Sequence, residues 1–208
     1  KTIIGFIVLL VSVNFAYAQR FYPGRIELID GTKLEGLVNL PFFRMNNHIV
    51  YKSGEEAAER KIKTESVKTV SMVSEEGNIN TLANVELSKR EKGLVFLLVE
   101  GYATLYFSGD GITVDKTGNI VPTASAVSGQ SLPVFYYMIQ RKGEKYPATL
   151  AMTSPAKTMF GQAKAFRKTA AGYFKDWPEL VKRLNDKEFT EKDVEKVVIL
   201  YKQHMANK

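Results

Sequence analysis

Short runs of alternating apolar and polar residues, separated by turn-forming residues, fill the chain up to about residue 150. In an early example, Ile26 and Leu28 fall on one face of a run and Glu27 on the other, and Asp30-Gly31 follows. Strict alternation predicts strands with one buried and one solvated face. Asp-Gly favours a two-residue hairpin turn, because both residues tolerate positive φ. The pattern therefore predicts that a β-rich region opens with a hairpin.

Two later stretches extend this region. Residues 94–99 are apolar at every position, which predicts a strand buried on both faces near the centre of a sheet. Residues 134–140 are rich in aromatic and β-branched residues, and a polar turn separates them from the largely apolar residues 148–152, so the two runs are expected to form a last hairpin.

From Pro155 onward the period of the apolar residues changes from two to about 3.6, which predicts helices. Asp176 is expected to cap a second helix that starts near Trp177-Pro178, and Thr190 with Asp193 resembles the capping box of a third. The wide apolar stripes predict that these helices bury side chains against one another or against the sheet: Phe160, Phe166, Trp177 and Val198.

A run of strands followed by a run of helices predicts an α+β fold. We expect an antiparallel β-sandwich or partly open barrel over residues 19–153, and a C-terminal three-helix subdomain over residues 154–208, packed on or beside it.

Residues 1–18 have the pattern of a secretory signal peptide. An apolar run from Ile3 to Val13 follows Lys1, and Ala16 and Ala18 match the small-x-small pattern of a cleavage site between Ala18 and Gln19. The run is shorter than the roughly 20 apolar residues that a spanning helix needs. The alternative is a buried N-terminal helix. We expect export to the periplasm, the outer membrane or the medium.

The composition narrows the expected chemistry. The chain has no Cys, which excludes disulfide bonds and a cysteine-linked lipid anchor. Its two His residues, His48 and His204, lack the spacing of a zinc site, and no Gly-x-Ser-x-Gly elbow is present. The residues that follow Asp115 resemble a calcium-binding loop. Counted from Asp115, however, the sixth position is Ile120 where such a loop has Gly, and this favours a hairpin turn. We therefore predict no catalytic residue, no metal ligand and no cofactor.

The tail and the opening hairpin also carry a resemblance. The run Tyr173-Phe174-Lys175-Asp176-Trp177-Pro178-Glu179-Leu180, together with the leader and the strand pattern, resembles uncharacterised secreted proteins of Bacteroidetes-type bacteria. In those proteins the tail often reads aromatic-x-Asp-Cys-Pro-x-Leu, and Trp177 stands here at the Cys position. The resemblance implies an envelope or secreted location and no established activity.

The formal net charge is +7, and most of the excess lies in residues 155–208. On a helix of 100° per residue, four lysines fall close to one line opposite the apolar stripe: Lys157, Lys164, Lys168 and Lys175. One reading is a solvated helix face, and the other is a basic face that contacts an anionic envelope surface or an acidic partner. No nucleic-acid partner is expected for an exported protein, and no transmembrane span is expected once the leader is removed.

Aromatic residues in the strands allow two readings as well. They could line a groove for a sugar or peptide, or form cross-strand pairs in the core: Tyr102, Tyr106, Phe107, Phe135, Tyr136 and Tyr137.

The leading prediction is an exported envelope protein with a non-enzymatic binding or structural role. The alternatives are a hydrolase that attacks an envelope polymer through paired carboxylates and a peripheral membrane module that uses the basic helix face.

Overall fold

A computed structural model describes residues 21–39, 47–109, 112–115, 117–122, 134–154 and 161–208. The strands in these ranges are β1 (Tyr22–Leu28), β2 (Lys33–Asn39), β3 (His48–Lys52), β4 (Arg60–Lys63), β5 (Val67–Val73), β6 (Ile79–Ser88), β7 (Glu91–Val99), β8 (Ala103–Gly109), β9 (Ile112–Val114), β10 (Ile120–Pro122), β11 (Phe135–Arg141) and β12 (Ala148–Thr153). The α-helices are α1 (Gln162–Tyr173), α2 (Pro178–Asn185) and α3 (Val194–Ala206).

Ten of these strands form one sheet in the order β12-β11-β8-β7-β6-β5-β1-β2-β3-β4. All the strand pairs are antiparallel. Strands β9 and β10 form a separate two-stranded sheet. The sheet is open, with β12 at one edge and β4 at the other. The predicted α+β fold, an antiparallel β-structure followed by three helices, is confirmed.

The first hairpin pairs β1 with β2 as expected, but its turn differs from the prediction. The last register pair is Glu27 with Lys33, and the connection contains four residues outside the strands. Gly31 has a φ of 87°, whereas Asp30 is not in the positive-φ region and its side chain accepts a 2.9 Å hydrogen bond from the Thr32 N–H. A longer connection, closed by a 2.8 Å hydrogen bond from the Leu28 N–H to the Thr32 carbonyl, thus replaces the predicted two-residue turn.

The buried side chains form two adjoining clusters on one face of the sheet and a smaller one on the other. Leu105 and Phe107 are two residues apart on β8 and share a face, whereas Tyr106 points to the opposite face. Leu105 belongs to the helix-side cluster, which contains residues of β8, β11, β12 and all three helices. Phe107 belongs to the strand-side cluster, formed largely by residues of β1 to β8. The outer cluster consists of Val85, Val95 and Met138.

Strand β7 reaches two of these clusters. Phe96 packs in the strand-side cluster, and its neighbour Val95 packs in the outer cluster. Both side chains are buried. The apolar strand is therefore buried on both faces at Val95 and Phe96, whereas Leu94, Leu97 and Leu98 are half-buried.

The helices cover the end of the sheet formed by β8, β11 and β12. Phe166 of α1 is 1% exposed and Val198 of α3 is 0% exposed, so their predicted burial is confirmed, and Trp177 is half-buried. Phe160 lies outside the described residues. No helix within the described ranges is both long enough and apolar enough to cross a membrane.

Of the two predicted helix starts, the one before α3 agrees with the structure and the one before α2 does not. Helix α2 has Trp177 at its N-cap and Pro178 at its first position, so the prediction that Asp176 caps it is wrong. Long-range hydrogen bonds, described below, hold the Asp176 carboxylate elsewhere. Before α3, Thr190 and Asp193 form the predicted capping box within a short 3-10 turn.

Candidate functional site

A groove of about 430 Å³ lies between the edge strand β12 and helix α1. Its walls are Thr149, Leu150, Ala151 and Met152 on the strand, and Gly161, Gln162, Ala165, Phe166 and Thr169 on the helix. None of these residues is charged. Leu150, Ala151 and Phe166 are buried and form the floor, whereas Thr149, Met152, Ala165 and Thr169 are exposed on the walls. We call this feature the β12–α1 groove.

A bulge in β12 shapes the floor of the groove. Tyr137 of β11 pairs with Ala151 and Met138 pairs with Thr149, so Leu150 is an extra residue without a register partner. An extra residue interrupts the alternation of side chains. Leu150 and Ala151 are therefore consecutive and yet both buried in the helix-side cluster.

Strand β12 pairs with β11, and within the described part of the chain no strand pairs with its other edge. An edge strand directs a row of backbone N–H and C=O groups away from its partner, where they can pair with another extended chain. Within the described ranges, the β12–α1 groove thus places the backbone of an edge strand beside an apolar floor.

Positive charge flanks this uncharged groove. Helix α1 contains Lys164, Arg167 and Lys168 and no acidic residue. Lys164 and Lys168 are exposed, whereas Arg167 is half-buried and donates a 3.2 Å hydrogen bond to the Phe189 carbonyl. On a helix, Lys168 neighbours Ala165, which lines the groove, and Lys164 is one turn before Lys168. We call Lys164 and Lys168 the basic rim.

The other residues proposed from the sequence lie in different places. Lys175 is exposed, but α1 ends at Tyr173, so Lys175 stands in the connection to α2. Lys157 lies outside the described residues, as do Ala18 and Gln19 of the predicted cleavage site. The structure thus places two of the four lysines on one helix beside the groove.

A second polar cluster joins the last hairpin of the sheet to the helices. Arg141 Nη2 donates to the Asp176 carboxylate at 2.8 Å and to the Tyr173 carbonyl at 2.7 Å. Tyr201 donates its hydroxyl proton to the other oxygen of Asp176 at 2.6 Å, and Tyr173 donates to Glu144 at 2.8 Å. We call these five residues the Arg141 clamp. Asp176 and Tyr173 belong to the tail motif, which therefore performs a structural task.

The electrostatics of the Arg141 clamp stabilise one protonation state. Burial tends to raise the pKa of Asp176, but the hydrogen bond from Tyr201 and the charge of Arg141 outweigh it and hold this pKa below its usual value. Burial, together with hydrogen bonds to Glu144 and Asp176 respectively, raises the pKa of Tyr173 and of Tyr201. At neutral pH the carboxylate accepts and both phenols donate. Asp176 is thus unsuited to act as a general acid.

Trp177, which stands at the Cys position of the tail motif, packs against the last helix. Its ring is stacked on that of His204, with 4.2 Å between centroids and 5° between planes. It also lies 6.4 Å from the ring of Tyr201. The contact adds buried aromatic area between the start of α2 and α3.

The six strand aromatics do not line one surface. Phe107 contacts Phe135 and Tyr137, with centroids 5.4 Å and 5.0 Å away, inside the strand-side cluster. Tyr102 lies 6.1 Å from Tyr201. Tyr106 and Tyr136 pack beside the outer cluster on the opposite face. The strands divide these residues between two faces, so they do not form the aromatic groove considered from the sequence.

The turn at Asp115 is held by hydrogen bonds within the hairpin of β9 and β10. One carboxylate oxygen of Asp115 accepts from the Thr117 N–H, the Thr117 hydroxyl and the Asn119 N–H, at 2.9, 2.6 and 2.9 Å. The described residues contain no group of three His, Cys, Asp or Glu placed to hold a metal ion. The predicted reading of this segment as a turn is confirmed.

No protein-family model, no curated protein and no solved structure matches this chain. The β12–α1 groove is accordingly interpreted from its own residues. Sequence reasoning missed it, although one signal was present: residues 148–153 contain no charged residue, while β4 is dominated by basic residues.

Proposed function

We propose that this chain is an exported cell-envelope protein that acts by binding and not by catalysis. Its binding surface is the β12–α1 groove, and the ligand is an extended polypeptide segment that adds to β12 as a further strand. The observation that carries this proposal is the uncharged edge strand β12, which pairs with β11 alone among the described strands and borders a groove with an apolar floor.

The dimensions of the groove suit such a ligand. A volume of about 430 Å³ is enough for a few side chains and lies within the range of about 300–1,000 Å³ that is typical of binding sites. In strand addition, main-chain hydrogen bonds supply affinity and the side-chain pockets supply specificity. Here β12 supplies the backbone groups, and Leu150, Ala151 and Phe166 supply the apolar floor.

The chemistry of the groove supports binding over catalysis. Its polar side chains are those of Thr149, Gln162 and Thr169, and none of these is a general base at neutral pH. A hydroxyl nucleophile needs an adjacent base, and the lining contains no His, Asp, Glu or Lys to act as one. The Arg141 clamp has such groups, but its carboxylates accept hydrogen bonds that hold the helices on the sheet.

A groove-filling variant tests the binding surface. Ala165 is exposed on the wall, so Ala165→Trp should fill the groove without disturbing the core. Gln203→Trp places the same ring at an exposed position of α3 and is the matched control. Peptides selected from a random octapeptide library on the unmodified protein should bind the control with unchanged affinity and bind Ala165→Trp at least about tenfold more weakly. Equal binding to both variants would show that the groove is not the preferred surface.

Export is tested separately. The small-x-small pattern after an apolar run predicts cleavage between Ala18 and Gln19. N-terminal sequencing of protein recovered from the envelope or the medium should start at Gln19. Recovery of the intact leader in the inner membrane would contradict the export proposal and leave the groove proposal untouched.

A further inference from the structure

The residues that line the β12–α1 groove are uncharged, so any preference for a charged partner must come from charged residues at its border. The exposed charges that helix α1 contributes there are Lys164 and Lys168, and this helix has no acidic residue to offset them. Opposite charges close to a binding surface favour complementary partners and disfavour like-charged ones.

The start of α1 adds to this positive field. Gly161 is the N-cap residue and has no side chain to accept hydrogen bonds from the first N–H groups of the helix. These groups carry the positive end of the helix dipole, which favours negative charge nearby. Gly161 and Gln162 both line the groove, so its helical wall is positive at the first turn as well as along the basic rim.

The same charges argue against a second copy of this chain as the occupant. Two copies paired antiparallel through β12, around a two-fold axis perpendicular to the sheet, would share one continuous sheet with both α1 helices on the same face. The two α1 helices would then face each other across the new seam, with Lys164 and Lys168 on both sides. Like charges so placed repel. The edge is better suited to an acidic chain than to itself.

We infer that the segment that adds to β12 is acidic, with carboxylates that face Lys164 and Lys168 and apolar side chains over Leu150, Ala151 and Phe166. This inference rests on the proposed binding function and specifies the chemistry of the partner. The basic helix face noted in the sequence then contributes to selecting a polypeptide.

A set of synthetic peptides tests it on the full chain. The probes are fluorescein-labelled octapeptides of two Val-Thr-Glu-Thr, two Val-Thr-Gln-Thr or two Val-Thr-Lys-Thr repeats, called the Val-Glu, Val-Gln and Val-Lys peptides. Because alternate residues of a strand share a face, the Val side chains and the Glu, Gln or Lys side chains of each peptide can face the groove together. At low salt the Val-Glu peptide should bind about threefold to tenfold more tightly than the Val-Gln peptide, and the Val-Lys peptide should bind most weakly.

Two matched variants locate the effect. Lys164→Gln with Lys168→Gln should abolish the preference for the acidic peptide, whereas Lys182→Gln with Lys202→Gln, which changes the net charge equally on other helices, should retain it. N-methylation of alternate peptide nitrogens removes main-chain donors and should weaken binding at least about tenfold. Slowed amide exchange of Thr149 to Met152 in the complex would place the peptide on β12.

The outcomes separate the possibilities. Equal affinity for the Val-Glu and Val-Gln peptides would overturn the acidic partner but retain the groove. If none of the three synthetic peptides binds, and Ala165→Trp binds the library-selected peptides with unchanged affinity, the groove proposal itself fails. A concentration-dependent dimer that protects the β12 amides would identify a second copy as the occupant. Salt-sensitive binding to vesicles of phosphatidylglycerol and phosphatidylcholine that requires Lys164 and Lys168, without peptide binding, would assign the rim to a membrane surface.

Discussion

The two edges of the sheet differ in both sequence and surroundings. Strand β4 has four residues, of which Arg60, Lys61 and Lys63 are basic and exposed. Strand β12 has six residues and no charge. Short strands and charged side chains, especially lysine, are common devices that prevent sheet edges from pairing with other chains. Strand β4 thus has both of these protective features, whereas β12 is longer and has no charged residue.

The structure behind each edge differs as well. Strand β4 contributes one buried side chain, Ile62, to the strand-side cluster. Strand β12 is supported by α1, and Leu150, Ala151 and Phe166 lie together in the helix-side cluster. A binding edge needs a fixed backbone, because a ligand otherwise bears the entropy cost of ordering it. Strand β12 is therefore the edge strand that is held in place by more buried side chains.

The largest expected loss of stability follows from removing a buried side chain of α1 that packs with β12. Phe166 is 1% exposed, so Phe166→Ala should lower the free energy of unfolding by about 3–5 kcal/mol through lost burial and a residual cavity. Ile62→Ala at the other edge should cost less, about 2 kcal/mol, because fewer methylene groups are lost. Urea unfolding followed by circular dichroism measures both. Thr169→Ala, at an exposed position of α1, is the control, and a Phe166→Ala loss below about 1 kcal/mol would show that the helix does not support β12.

A smaller loss of stability is expected when the Arg141 clamp, which fixes the β11–β12 hairpin to the helices, is weakened. Asp176→Asn should destabilise the protein by about 1–2 kcal/mol at pH 7, since a charged acceptor becomes neutral. The pKa of Asp176 is lowered in the folded state, so this stabilisation is present above the unfolded value of about 3.8 and is lost as the pH falls through the folded value.

The pH dependence supplies the measurement for this prediction. The difference in urea midpoint between the unmodified protein and Asp176→Asn should be constant from pH 7 to about pH 5 and should shrink towards pH 3. Asp186→Asn, at an exposed carboxylate after α2, is the control. A difference that persists unchanged at pH 3 would contradict an ionised clamp.

The smallest change in stability is expected where the two edges are made alike. Lys61→Thr with Lys63→Thr removes two of the three charges of β4 and should alter the free energy of unfolding by less than about 0.5 kcal/mol, because both side chains are exposed. Its effect should appear as concentration-dependent association in sedimentation velocity. Lys89→Thr with Lys92→Thr, in and beside the β6–β7 turn, is the control. A double β4 variant that remains monomeric would show that lysines are not what protects this edge.

Local signals in the sequence predicted the elements that depend on local interactions. The capping box of Thr190 and Asp193 spans four residues and was recognised, and the apolar run of β7 indicated a strand buried on both faces. Asp176 was assigned wrongly because a good local N-cap residue has stronger partners elsewhere. Arg141 is 35 residues away in sequence and Tyr201 is 25, and no periodicity reports contacts of that range.

Predicting the groove also requires knowledge of contacts between residues that are far apart in sequence. Its existence depends on β12 being at an edge, and the strand order is decided by how the whole sheet pairs. The extra residue Leu150 also interrupts the register in a way that the run Ala148-Thr149-Leu150-Ala151-Met152 does not announce. The basic rim was visible as a periodic set of lysines, but the apolar floor beside it was not.

The stacked pair of Trp177 and His204 has a practical consequence. Trp177 is the single tryptophan of the chain, and it is half-buried at the junction of α2 and α3. Its fluorescence therefore reports on the packing of the C-terminal helices, including the docking of the last helix, while far-ultraviolet circular dichroism reports on the helices and sheet together. If the tail opens before the sheet melts, the emission maximum will shift to longer wavelength first, and the molecule will reveal the order of its own unfolding without an added label.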